Sequence, residues 1–468
     1  EGSAAAAAGQ LVVDTVALNT SASKLVFNHT NAGYAFSADI TGLGSVRQLA
    51  GITVLTSNNN DYSGQTQVLG GRLVAGSSGA FSANSDYTVA TGAVLEVAGG
   101  FGTVATVGSL SGAGFVRIGV DETLITGTTN QTATFSGTFL GDGSLEFEGS
   151  GTQIYTGTGT LGGGLSICAC STGSFIVRGG SLTLGMDIEV SGGTLVVDQG
   201  GKLDNGPAVF AVTSSAFATS TVRIDGAGTT VTTGSALVIG CVEKAEVTIS
   251  GGASLVGDGG AAVMSAGDGT ATAVVTGAGS RWSIGGGSLF VGSLDGTGQA
   301  SVTVAEGGAL AIAAGDLGIG AEGTLRIGTG GKAGSVTLAA GAILNDGAIV
   351  TDFTDSATLA MAIDGTGTLT KRGSGTLNLT GTSTYTGATT VSGGKLVVNG
   401  SLASSVTLDG GTLGGSGTIG GVSVASGGTV APGNSIGTLN VSGNVAFASG
   451  STYQVEVNAA GQSDRIVA

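Results

Sequence analysis

A Gly-Gly-X-Leu/Val punctuation recurs from one end of this chain to the other and leaves few folds open to it. It reads Gly70-Gly71-Arg72-Leu73, Gly179-Gly180-Ser181-Leu182, Gly192-Gly193-Thr194-Leu195, Gly307-Gly308-Ala309-Leu310, Gly393-Gly394-Lys395-Leu396, Gly410-Gly411-Thr412-Leu413 and Gly427-Gly428-Thr429-Val430. The last three pairs, beginning at Gly393, Gly410 and Gly427, are evenly spaced. A glycine pair permits positive φ and a tight turn, and the apolar residue after it restarts a buried strand. Short strands separated by such turns over a whole chain describe a solenoid. Function on such a scaffold belongs to an elongated surface.

Composition supports that reading. The 93 glycines among 468 residues accompany a 41% hydrophobic content, so this is no disordered glycine-rich chain. Alternation marks half-buried strands: Val247 and Ile249 flank Thr248, Val302 and Val304 flank Thr303, and Leu377 and Leu379 flank Asn378. No segment carries the i, i+3, i+4, i+7 apolar pattern of a helix. Only 10% of residues are charged, so Ser, Thr, Asn and Gly must supply most of the solvent-facing surface. The net charge of −16 and the lack of any Lys/Arg cluster argue against nucleic acid and anionic membranes as partners. No apolar run reaches the roughly 18 residues of a membrane span, so direct insertion is not expected.

Longer repeats sit above the strand pattern. Residues 40–74 align without a gap to 363–397, matching Thr53, Tyr62, Thr66 and Val68 to Thr376, Tyr385, Thr389 and Val391. A second repeat joins Asp225-Gly226-Ala227-Gly228 to Thr276-Gly277-Ala278-Gly279. Two all-β architectures remain open on these grounds. Asp-Gly pairs such as Asp225-Gly226 and Asp409-Gly410 suit antiparallel hairpins in a string of sandwiches. Unbroken repeats, the absence of linkers and only 4% aromatic residues suit a parallel β-helix.

The segment Gly367 to Leu396, GTLTKRGSGTLNLTGTSTYTGATTVSGGKL, resembles the passenger-associated strand repeat of Gram-negative autotransporters (type V secretion), and residues 40–74 look like a diverged copy. Ala431 to Val467 is similar to the stretch that closes many passengers, and Val275 to Trp282 to a further passenger repeat. The match is specific over the C-terminal half and looser before it. The resemblance implies a right-handed parallel β-helix, a β-solenoid forming a single elongated rod over 1–468. On this reading 1–30 is an N-terminal cap or a start added in cloning. Residues 431–468 then precede an autochaperone and membrane barrel that lie outside this sequence. The implied setting is export through the outer membrane, to the bacterial surface or into the medium.

Candidate chemistry is sparse. The sole histidine, His29, lacks a Gly-Asp-Ser-Gly segment to complete a protease triad; Gly141-Asp142-Gly143-Ser144 places the serine one residue late, and His29 reads as a surface loop residue. Glu146 and Glu148 share one face of a strand, the spacing of a glycosidase pair and equally of a solvent-facing strand side. Asp121-Glu122 reads as a turn, and Asn58-Asn59-Asn60-Asp61 as an exposed turn. Cys168-Ala169-Cys170 lies at the outer edge of disulfide geometry; Cys168 and Cys170 are expected to be either buried or bonded to each other, with Cys241 free or on a neighbouring coil. Three cysteines and one distant histidine give no zinc spacing, so neither metal nor cofactor is expected. The resulting expectation is a non-enzymatic passenger for adhesion, self-aggregation or host-cell interaction. Its partners would be a host-surface protein, matrix, a glycan or a second copy of itself. The alternatives are a carbohydrate-active β-helix enzyme and a released ligand for a host receptor.

Overall fold

The computed structural model describes residues 9, 11–213, 219–240, 243–266, 268–293 and 296–468. Cys241 and the Ala4 to Ala8 run lie outside the described residues. The chain is all-β, with parallel strands stacked as a β-solenoid of about 19 turns, and the described residues contain no helix. The hairpin alternative fails because, among the described residues, consecutive strands do not pair with each other. Each pairs in parallel with the strand one coil away, as Phe115–Ile118 does with Val94–Val97 and Thr138–Gly141. Residues divide into two compact units, Glu1–Ser235 and Ala236–Ala468.

In the first unit a coil takes three strands and three turns, for example Phe115–Ile118, Thr123–Thr126 and Thr132–Phe135. Alternation turns every second side chain inward, and in-register pairing stacks inward residues into columns. One column runs Leu124, Leu145, Leu165, Ile188, Phe210, each buried. Another stacks Phe135 on Tyr155 with ring centroids 6.1 Å apart and planes 20° from parallel. Each fully buried aliphatic or aromatic side chain contributes roughly 1.5–3 kcal/mol, and its contacts come mostly from the coils above and below, so no coil is stable alone.

The second unit follows the same rule. Val247, Ala273, Val302, Leu325, Ile349 and Leu369 form one dry column, all at most 2% exposed. The glycine punctuation is the rung period: Lys395–Val398, Thr412–Gly415 and Thr429–Pro432 pair so that Leu396, Leu413 and Val430 sit directly over one another. In each of the recurring pairs at least one glycine has positive φ, as at Gly71 (67°), Gly394 (63°) and Gly411 (65°). Coil length varies: the coil that carries the chain from Thr412 to its partner Thr429 is far shorter than the one from Thr272 to its partner Ser301.

The two aligned repeats carry a shared polar device inside the core. Tyr62 Oη lies 2.7 Å from Thr66 Oγ1, which lies 2.8 Å from Ser85 Oγ. Tyr385, Thr389 and Ser404 repeat the chain at 2.5 and 2.7 Å. All six residues are buried. Two residues at equivalent places in the repeats, Gln48 and Lys371, occupy positions in dry columns and are themselves fully buried. Gln48 Nε2 donates to the carbonyls of Ala50 and Gly51 at 2.7 and 3.1 Å. Lys371 Nζ donates to the carbonyls of Arg372, of Gly373 at 3.0 Å and of Gly393 at 3.4 Å, with Phe353 beneath it at 5.1 Å. Burial lowers the Lys371 pKa, with Asp352 acting weakly the other way.

Candidate functional surfaces

His29 is not a surface residue. It is 2% exposed, its Nε2 lies 2.9 Å from Thr53 Oγ1, and its Nδ1 accepts from the Asn31 N–H at 3.2 Å. Desolvation lowers its pKa, so the ring is held neutral as a packing group. The exposed-turn reading of Asn58 to Asp61 also needs correction at one position. Asn60 is buried; its Oδ1 accepts from Ile40 N–H and its Nδ2 donates to Ala80 C=O, both at 2.7 Å. It therefore clips three successive coils together. Asp121 and Glu122 do form a turn, with Asp121 at φ 56°. The buried Glu122 carboxylate accepts from Gly100 and Gly119 N–H at 2.7 and 3.1 Å, which makes it a structural cap. Ser144 Oγ accepts from Gly164 N–H at 3.2 Å, an inter-coil role.

Glu146 and Glu148 extend from the strand Ser144–Phe147 and the residue after it, on the side opposite Leu145 and Phe147. The residues paired with Glu146 on the neighbouring coils, Ile125 and Ser166, offer no ring on which a sugar could stack. Glu189 stands one coil beyond Ser166 in the same column. Partial burial, then Glu148, then Glu189 raise the Glu146 pKa. None of the ion pairs among the described residues involves these three carboxylates.

Cys168 and Cys170 are free thiols beside this acidic patch. Pairing of Phe147 with Ile167 sets residue 148 against residue 168 on the next coil. The chain then turns: Ser171 N–H donates to Cys168 C=O at 2.8 Å and Cys170 N–H to Cys168 Sγ at 3.3 Å. Donor atoms of Glu148, Cys168 and Cys170 all fall within 4.8 Å of one another. Burial, with Cys168 and Glu148 adding to it, pushes the Cys170 thiol up to about 12. Local spacing could not reveal this grouping, because Glu148 and Cys168 are remote in sequence and only the length of the coil between them brings them together.

Elsewhere some outward ladders are rich in small hydroxyl residues. In the second unit one ladder runs Glu246, Thr272, Ser301, Thr324, Ala348, Thr368. On this ladder a shallow depression of about 310 Å³ is lined by Thr272, Gln299, Ser301, Glu322, Thr324 and Arg326.

The passenger-associated-transport-repeat family model matches residues 50–75 and 369–398, the two copies that share the buried tyrosine device. A curated relative, the adhesin BmaC autotransporter of Brucella suis biovar 1 (strain 1330), is 34% identical over 175 residues. That alignment takes in 34% of this chain and 5% of the adhesin. No solved structure matches the chain.

Proposed function

We propose, for a chain that is an autotransporter passenger region with passenger-associated transport repeats, a non-enzymatic role in adhesion, self-aggregation or host-cell contact. Membership of that family implies export to the cell surface or secretion. The observation that carries the reading is the outer face itself. Its ladders present hydroxyl and amide groups at the rung repeat of about 4.8 Å, with few charges and shallow relief. Such a face suits many weak, repeated contacts, which add through multivalency. The partners that fit are a host-surface protein, a matrix component, a glycan or a second copy of the same face. Similarity to a protein named as an adhesin supports this choice over the carbohydrate-active alternative, whose Glu146 lacks a stacking platform.

The test is binding of the purified chain, monomeric and bead-displayed, to cultured cells, matrix proteins and glycan arrays, with bead clumping scored in parallel. Display should raise apparent avidity by about a hundredfold or more. Inertness in every format overturns the proposal, and turnover on a polysaccharide panel would replace it with the enzymatic reading.

A further inference from the structure

We propose that Glu148, Cys168 and Cys170 form a binding site for a borderline-soft divalent cation of the zinc class on the surface of the first unit. Three features converge on it. The coil length sets Cys168 against Glu148, and the Cys168 amide holds that register by donating to Phe147 C=O at 3.1 Å. The turn closed by Ser171 N–H and Cys168 C=O brings the second sulfur back towards the first. The surroundings are anionic: Glu146 and Glu189 flank the group, and no ion pair among the described residues neutralises any of the three carboxylates.

The donor set selects the ion. Two sulfurs and one carboxylate disfavour calcium and magnesium, which take oxygen ligands, and suit zinc. Bond lengths of about 2.0–2.3 Å in a tetrahedron separate ligand atoms by roughly 3.5–4 Å. The donors already lie within 4.8 Å, so closure needs about 1 Å of side-chain rotation. Three protein ligands leave the fourth position to water or to a group on a partner surface. The ion would also tie two coils together through Glu148 and the Cys168 turn.

The experiment uses the full chain, reduced, with its three thiols counted before use. Cobalt(II) serves as the spectroscopic probe and zinc(II) as the competitor. The expected result is one cobalt per chain, a thiolate-to-cobalt charge-transfer band, and its loss on adding zinc. Cys168→Ser and Cys170→Ser should each remove the band or weaken binding at least about tenfold. Glu148→Gln should keep thiolate ligation yet weaken binding by about tenfold or more. Cys241→Ser should leave both unchanged. A fully reduced chain with no charge-transfer band overturns the site, as does a band that survives Cys168→Ser and vanishes with Cys241→Ser. Circular dichroism checks each variant, and if a cysteine variant loses its β signal the Glu148→Gln titration decides, an unchanged affinity counting against the site.

Discussion

Replacing Lys371 by methionine probes the least expected feature of the core. The ammonium is fully buried in a column that otherwise holds Ile327, Thr351, Val391 and Leu408, and it serves three backbone carbonyls around the Gly373 and Gly393 turns. Methionine fills the same space and needs no charge desolvation, which favours the variant. It also strips those carbonyls of their donor, and a buried acceptor left unpaired is worth about 1–3 kcal/mol. With three acceptors affected and one desolvation term relieved, the net expectation is a loss of about 2 kcal/mol. Lys371→Gln copies the Gln48 arrangement and should lose less than about 1 kcal/mol. The sole tryptophan, Trp282, is buried in the same unit, so its fluorescence during urea unfolding reads the transition directly. The pH dependence adds a second readout. Because burial lowers the folded pKa below 10.5, the unfolded chain holds more protons between the two values, and stability rises as pH increases through that window. Lys371→Met should lose that rise. A methionine variant as stable as the parent at neutral pH would refute the argument.

Four further outcomes follow from the structure. Leu325→Ala, in the Val302–Ile349 column, should destabilise the second unit by about 2–5 kcal/mol in the same tryptophan assay. Gly365→Ala should lose more than about 1 kcal/mol, since Gly365 has φ 111° and an added Cβ would stand 2.3 Å from Asn345 C=O. His29 has its pKa lowered from 6.5, so stability of the first unit should fall as pH drops through the window below 6.5, and His29→Gln should flatten that slope in amide exchange. In oxidised glutathione the metal-free chain should close a Cys168–Cys170 disulfide by thiol exchange, seen as two fewer titratable thiols, and zinc should slow the reaction.

Regular structure was legible because glycine turns and two-residue alternation are local signals. The even spacing of the last three glycine pairs is the rung period itself. Residues whose role depends on the adjoining coil were not legible. Gln48, Lys371 and Asn60 look like surface residues in their own segments, and only the coils stacked on them enclose them. His29 sits in an Asn-His-Thr run that reads as a loop, while Thr53, on the neighbouring coil, holds its ring inside. Unequal coil lengths explain the gap, because inserting or removing a single residue in a coil alters every partner across the rung.

Spin-label distances along one outward ladder test the stacked register most directly. Thr248, Val274, Thr303, Arg326, Val350, Thr370, Thr390 and Thr407 follow one another rung by rung. With Cys168, Cys170 and Cys241 replaced by serine, labels at Thr248 and at Thr370, Thr390 or Thr407 span five, six and seven rungs. Pulsed dipolar spectroscopy should then give about 24, 29 and 34 Å, one rung spacing of about 4.8 Å per step. Distances that fail to lengthen by a constant step from pair to pair would contradict the stack.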